Sequence, residues 1–262
     1  MKKLLVCGFV VMVMGVVGLP TQAFAQGDEI QVYDGGLAPK GIYNLTWHNN
    51  FTPRGLKTPS IPGGVTADKS FNGVTEWALG VSDFFEAGLY LPLYTYDKDL
   101  GFGINGLKLR TLFATPNGGD RKVAYGLGME FSYNAKRWDS TRITSEIRPI
   151  VAFHLNPQWD VIVNPILDTA YDGVKNMVFA PSARVAYNAS DAWAVAVETY
   201  SDFGAIKGFE KAGDQSHQIY GVINHVAKNG IETEFGMGVG LTDASDKFVI
   251  KLILAKDLNK KK

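Results

Sequence analysis

Charged residues that alternate with bulky apolar ones are the groups in this sequence that could act on a solute. In the stretch GLKLRTLFA at 106–114, Lys108 and Arg110 fall between Leu107, Leu109 and Thr111. Successive side chains of a β-strand point to opposite faces, so the two charges would share one face. Candidates of this kind carry both signs and are Lys108, Arg110, Glu130, Arg142, Glu146, Arg148, Arg184, Glu198, Glu232 and Glu234.

A face that carries both signs of charge permits two interpretations if the strands close into a barrel. Opposite charges on neighbouring strands could pair and fill the interior with a rigid lattice. They could instead line a narrow pore whose field orients a polar or anionic solute. For a pore, we expect the constriction to be formed by Arg110, Arg148, Arg184, Glu146 and Glu198.

Residues suited to catalysis or metal binding are sparse. The four histidines, His48, His154, His217 and His225, lack the spacing of a zinc site. Ser216 precedes His217, but neighbours on a strand point to opposite faces, so these two cannot form a dyad. A barrel hydrolase would need a Ser or Asp beside a His on an adjoining strand. We therefore expect no enzyme, no metal site and no cofactor.

The start of the chain has the composition of a secretory signal peptide. Two lysines precede an apolar run over 4–19, and Ala23-Phe24-Ala25 has the small residues of a cleavage site. We predict a signal peptide at 1–25 and one barrel domain at 26–262. Cys7 is the only cysteine, so cleavage would leave no disulfide. Cleavage would also lower the 26 basic residues to 24, against 26 acidic ones, which does not suggest a nucleic-acid partner.

Alternation of apolar and polar residues after position 38 predicts an all-β chain of about twelve strands. Most segments are long enough for a tilted strand to cross a bilayer, which takes about 9–11 residues. The predicted strands are 39–50, 71–82, 84–96, 102–115, 121–134, 140–154, 158–169, 177–190, 192–203, 216–227, 231–241 and 247–258.

The lengths of the connections alternate between short and mostly longer along the chain. Because every second link of an antiparallel meander lies at the same end, one end would carry tight turns and the other the longer loops. This is the layout of a single up-and-down transmembrane β-barrel of the outer membrane, with short periplasmic turns and longer external loops. We expect the loops at 51–70 and 204–215 to act as gates or plugs.

The type of residue on each strand face predicts which face meets lipid. Large aliphatic and aromatic residues occupy one face, whereas the other is mostly glycine, alanine and isolated charges, which suits a crowded concave interior. Within 191–204, Val195 and Val197 should therefore point to lipid, and Glu198 should point inward. Aromatic residues near the short turns should form an interfacial girdle. They are Phe113, Phe153, Trp159, Tyr187 and Trp193.

Several stretches resemble uncharacterised proteobacterial outer-membrane β-barrel proteins, often grouped with the transporter-type family named after the meta-pathway of phenol degradation. The stretches include EWALGVSDFFEAGLYLP, EIRPIVAFHL, FAPSARVAYN and WAVAVETYSDFG. The resemblance covers nearly all of the chain after residue 25 and implies an outer-membrane barrel. It supplies no ligand or catalytic residues. The chain departs from many such barrels at its end, because Leu258 takes the place of the aromatic residue that the barrel assembly machinery reads.

These patterns together lead us to expect a narrow channel in the cell outer membrane for passive transport of small polar or aromatic solutes. Its partners would be outer-membrane lipid, the solute and the barrel assembly machinery. Three alternatives stay open: a packed-lumen barrel without a pore, a membrane-embedded barrel hydrolase acting on phospholipid or lipid A, and a soluble lipocalin-like barrel in the periplasm.

Overall fold

The computed structural model describes residues 27–259, so the predicted signal peptide at 1–25 lies outside the described residues. No helix within this range is long and apolar enough to cross a membrane. The strands are β1 (Tyr43–Arg54), β2 (Ser70–Ser82), β3 (Phe85–Asp97), β4 (Gly101–Ala114), β5 (Val123–Asn134), β6 (Ile143–Asn156), β7 (Trp159–Asn164), β8 (Leu167–Thr169), β9 (Val178–Phe179), β10 (Ser182–Ser190), β11 (Trp193–Asp202), β12 (Ser216–Val226), β13 (Ile231–Gly240) and β14 (Phe248–Asp257).

Fourteen strand segments form twelve crossings because two of the crossings are interrupted by proline. Pro165 separates β7 from β8, and Pro181 separates β9 from β10. Proline has no N–H to give to the ladder and breaks it locally. The interruptions face each other, since β7 pairs with β10 and β8 pairs with β9. The Ala180 amide also donates to the Ile166 carbonyl at 3.0 Å between them.

All neighbouring crossings are antiparallel, and the sheet closes on itself. Strand β1 pairs with β14 and β5 pairs with β6, so that each edge has a partner. The fold is thus the predicted all-β, twelve-stranded, up-and-down barrel. We call the end with the links 82–85, 114–123, 156–159, 190–193 and 226–231 the short-turn end and the opposite end the long-loop end.

The predicted sorting of side chains between the two faces is confirmed. Val197 is 51% exposed on the outer surface, whereas the next residue, Glu198, is completely buried in the lumen. Leu109 and Arg110 divide in the same way, at 54% and 5% exposed. A lipid-facing exterior accounts for so many large apolar side chains on the outer surface, because water would penalise each of them.

The lumen is occupied by the chain segment that precedes β1. This segment, residues 27–39, runs inside the barrel from Asp28, beside Asn50 of β1, to Ala38, beside Glu86 near the short-turn end; we call it the N-terminal plug. Ile30 and Val32 are buried and join inward residues of the wall such as Tyr200, Tyr220 and Val222 in one apolar cluster. The plug therefore has its own hydrophobic contacts with the barrel.

The two loops predicted to act as gates lie in different environments. The first was predicted at 51–70 but is shorter, because β1 continues to Arg54 and β2 begins at Ser70. In the first, between β1 and β2, residues 65–68 are buried at the long-loop end. Its Val65 amide donates to the Arg137 carbonyl at 2.9 Å, and its Thr66 amide donates to the Asp97 carboxylate at 2.6 Å. The second, between β11 and β12, is mostly exposed, and its Phe209 packs against Phe203.

Candidate functional site in the barrel lumen

One group of lumen charges is centred on Arg110 of β4. Its guanidinium contacts the carboxylates of Glu76 on β2 and Glu86 on β3, the latter at 2.5 Å. His48 of β1 completes the group, with its Nε2 3.4 Å from Glu76. Cross-strand and diagonal neighbours of one face lie within reach of long side chains, which explains why four successive strands supply these residues.

A second group lies between β4 and β6 and includes acidic residues of the plug. Lys108 contacts Asp28 of the plug at 2.8 Å and Glu130 of β5 at 3.3 Å. Arg148 of β6 donates to Glu146 from Nε at 2.5 Å and from Nη2 at 3.1 Å. The carboxylate of Glu29, also in the plug, lies 3.8 Å from the Arg148 guanidinium. Two cations of the wall are therefore shared between wall and plug.

The third group is centred on Lys251 of β14, a side chain with no exposed surface. Its ammonium donates to Glu198 at 2.5 Å and to Glu234 at 2.7 Å. Arg184 contacts the same two carboxylates, at 3.1 Å for Glu234. Tyr200 donates its hydroxyl to Glu198 at 2.7 Å. This group is built from the wall alone, and every charge in it has an opposite charge beside it.

Hydrogen bonds from the wall hold the backbone of the plug. The Asn164 side chain receives the Tyr33 amide at 2.8 Å and donates to the Tyr33 carbonyl at 2.9 Å. Lys251 donates to the Ile30 carbonyl at 3.0 Å. These contacts satisfy backbone groups of a segment that has no strand partner, as a buried extended chain requires.

The ring of Tyr33 lies between two guanidinium groups of the wall. Its centroid is 4.5 Å from Arg148 and 5.5 Å from Arg110, within the range of a cation–π contact. Its hydroxyl is 2.6 Å from the hydroxyl of Tyr90 on β3. A cavity beside the ring, lined also by Leu112 and Ile150, measures only about 10 Å³, roughly the space of one water molecule.

The charges in the three groups do not balance. Their ion pairs contain five lysine or arginine side chains and eight carboxylates, together with His48. Two of the eight carboxylates, Asp28 and Glu29, belong to the plug. Without the plug, five cations and six carboxylates would remain on the wall, which is close to balance.

Eight of the ten candidate charges lie in these groups, and two lie elsewhere. Arg142 is exposed just before β6 begins, with its guanidinium 5.4 Å from the ring of the exposed Tyr133. Glu232 is exposed on β13 near the short-turn end. The eight in the groups are Lys108, Arg110, Glu130, Glu146, Arg148, Arg184, Glu198 and Glu234.

The five aromatic residues predicted to meet the lipid interface are all exposed on the outer surface. Trp159 and Tyr187 pack together with their ring centroids 5.1 Å apart. Trp193 stacks on His225 at 4.1 Å, and Phe113 stacks on Phe85 at 4.7 Å. Phe153, the fifth, pairs with Val123 in the adjacent strand.

Sequence reasoning missed three kinds of residue in the lumen. Lys251 is the one charge in the apolar run 248–255, a signal that could have added it to the candidates. His48 and Glu76 occupy inward positions of β1 and β2 but lie in less regular sequence. Asp28 and Glu29 precede all of the strands, and nothing in the sequence places them inside a barrel. Across residues 27–259, no three His, Cys, Asp or Glu side chains are arranged to hold a metal ion.

Comparisons with known proteins support the class of fold. No family model and no curated protein sequence matches the chain. Among solved structures, it is similar to the COG4313 outer membrane channel from Pseudomonas putida F1, with a TM-score of 0.61, 11% identity, and coverage of 88% of this chain and 100% of that one. It is also similar to the KdgM porin, with a TM-score of 0.56, 5% identity, and coverage of 82% and 99%.

A second structure of that porin, described as in complex with disordered oligogalacturonate, gives a TM-score of 0.51 at 6% identity, covering 82% of this chain and 99% of that one. All three neighbours are described as channels or porins rather than enzymes. At such low identity the likeness shows the fold alone. The closed barrel and its apolar exterior, together with these neighbours, identify the chain as an outer-membrane β-barrel protein. The particular family suggested by the sequence resemblance is not confirmed.

Proposed function

We propose that this protein is a narrow outer-membrane channel for passive movement of small polar or aromatic solutes, and that the N-terminal plug closes it. The observation that carries the proposal is the position of residues 27–39 inside the barrel, held only by noncovalent contacts. A segment held in this way can leave without unfolding the wall. The descriptions of the neighbouring barrels as channels and porins support the same function.

The wall groups that bind the plug are also suited to guide a solute. Lys108 and Arg148 contact Asp28 and Glu29 in the closed state. Once the plug leaves, each would keep its wall carboxylate and gain an open side that could attract an anionic or polar group. The space taken by the Tyr33 ring, between Arg110 and Arg148, would accept another aromatic ring. Arg184, Glu146 and Glu198 would complete the constriction predicted from the sequence.

A packed-lumen barrel without a pore is the second candidate, and the charge lattice favours it. A wall whose cations each contact a carboxylate could serve to make the barrel rigid, with the plug as a permanent part of its core. The two candidates differ in one property: only a channel conducts ions after the plug has been removed.

The test is the conductance of the purified protein in a planar lipid bilayer, with and without the plug. We expect the full-length protein to be mostly closed and a variant lacking residues 27–39 to give discrete conductance steps. Heat-dependent gel mobility would show that both proteins are folded barrels. A folded variant that never conducts would support the packed-lumen barrel instead.

A further inference from the structure

Three polar residues on the outer surface near the long-loop end form a continuous hydrogen-bonded chain. The Ser201 hydroxyl lies 2.9 Å from Nδ1 of His217, and Nε2 of the same ring lies 3.0 Å from the side-chain oxygen of Gln215. All three side chains are partly exposed. None of them belongs to the charge groups in the lumen.

Strand register explains why these residues meet. Ser201 of β11 and His217 of β12 are direct cross-strand partners. Ser201 shares its face with the exposed Val195 and Val197, and His217 shares its face with the exposed Ile219. Both side chains therefore point away from the lumen, towards the lipid. The adjacent Ser216 points the other way and contacts Ser245 at 3.2 Å, as alternation requires.

The order of contacts is that of a serine nucleophile, its base and a residue that orients the base. If Nε2–H donates to the Gln215 oxygen, Nδ1 keeps its lone pair and can accept the proton of the Ser201 hydroxyl. A neutral amide in the third position serves the same purpose in Cys-His-Asn proteases. The nucleophile, the base and the orienting residue are thus in hydrogen-bond contact without a charged third member.

We propose that Ser201 and His217 form a catalytic site, positioned by Gln215, which hydrolyses ester-linked acyl chains of lipids in the outer leaflet. The site lies on the lipid-facing surface near the strand ends, the height at which ester carbonyls of a lipid lie. Val197 and Ile219 continue the same face towards the middle of the membrane and would contact an acyl chain. Phe203 packs edge-on against His217 at 5.2 Å and shields it from water on one side.

The reaction follows from these contacts and needs no cofactor. Ser201 Oγ attacks the ester carbonyl carbon while its proton moves to Nδ1 of His217. The C–O bond to the lipid alcohol breaks, and the alcohol leaves with that proton, giving an acyl-serine. Water then attacks the acyl group, gives its proton to His217, and releases the fatty acid as Ser201 regains a proton. This activity is independent of whether the lumen conducts.

The test uses the full protein in vesicles and measures released fatty acid. One set of vesicles contains phospholipid and the other contains lipid A, which distinguishes the two sources of the ester. We expect the wild type to release fatty acid from at least one set, and Ser201→Ala and His217→Asn to lower the rate by roughly 100-fold or more. Ser216→Ala, the matched control beside the same histidine, should act as the wild type.

A fluorophosphonate probe should label the wild type at Ser201 and leave Ser201→Ala unlabelled. The tetrahedral adduct needs hydrogen-bond donors for its phosphoryl oxygen. Labelling therefore also tests whether the loop at 203–215 supplies such donors. For Gln215, Gln215→Glu should retain activity with an altered pH profile, whereas Gln215→Leu should not. The proposal would be overturned if the wild type released fatty acid no faster than folded Ser201→Ala from both sets of vesicles.

Discussion

The closing role of the plug leads to a prediction for a single carboxylate, that of Asp28. This side chain is 2% exposed and lies 2.8 Å from Lys108 in the wall. Asp28→Asn keeps the size of the side chain and leaves the Asp28 carbonyl free to accept from Asn50 at 3.1 Å, as it does now. The substitution therefore removes one buried charge contact between plug and wall and little else.

The free energy lost in Asp28→Asn depends on which partners Lys108 still has. Breaking a buried ion pair costs about 3–5 kcal/mol when the remaining charge has no other partner. Lys108 keeps Glu130 at 3.3 Å, so its charge is not left without a partner. We therefore take the loss of free energy between plug and wall to be that of one hydrogen bond to a charged group, about 2 kcal/mol. Because about 1.4 kcal/mol corresponds to a factor of ten, the ratio of open to closed channels should rise about 30-fold.

The assay is the fraction of time that single channels spend open in a planar bilayer. Asp34→Asn is the matched control, because it makes the same change in the same segment at an exposed position. The Asp34 carboxylate accepts from the nearby Gly36 amide at 2.7 Å, and we expect its replacement to alter the open fraction by less than about twofold. Equal open fractions for the two variants would refute the assigned role of Asp28.

Two further predictions concern the pore wall and the loops. Neutralising Arg148 and Arg184 together, as glutamine, should shift the reversal potential of an unplugged channel towards cation preference, and an unchanged potential would exclude both from the conduction path. In the loop before β14, burial and the nearby Asp68 raise the pKa of Asp246, although the hydrogen bond from the Leu56 amide and the charge of Lys247 act to lower it. The folded loop binds the proton more tightly than the unfolded chain, so the fold of the loop around Asp246 and the Leu56 amide is most stable at low pH and loses stability as the pH rises above about 4. Asp246→Asn should remove this dependence of loop stability on pH, which can be measured as the hydrogen-exchange protection factor of the Leu56 amide. A protection factor that still falls with pH in the variant would show that Asp246 is not its cause.

The wall of the barrel was predictable because its signal is local. A period of two along each strand separates lipid-facing from inward side chains, and the pair Val197 and Glu198 shows that separation directly. Strand number followed from the same signal, although the interruptions at Pro165 and Pro181 divide two of the crossings. The placement of Arg142 at the rim shows the limit of this method, since a residue at the end of a strand obeys the alternation only loosely.

The contacts between distant parts of the chain were not predictable. The plug is positioned by side chains from strands throughout the barrel, such as Lys251, which lies 221 positions from the Ile30 carbonyl that it contacts. The contact between Ser201, His217 and Gln215 on the outer surface was not predictable either. The sequence correctly excluded Ser216 as a partner of His217, but naming Ser201 requires the register of β11 against β12 across the loop at 203–215.

The distribution of charge partners also indicates where a path would open. The group around Lys251 and Arg184 is neutralised within the wall, so it would stay paired and rigid if the plug left. The group around Lys108 and Arg148 would lose the partners Asp28 and Glu29 there. Departure of the plug would thus leave Lys108 and Arg148 with one wall carboxylate each, Glu130 and Glu146, and would expose them beside β4, β5 and β6. We expect a conducting path to follow that side of the lumen.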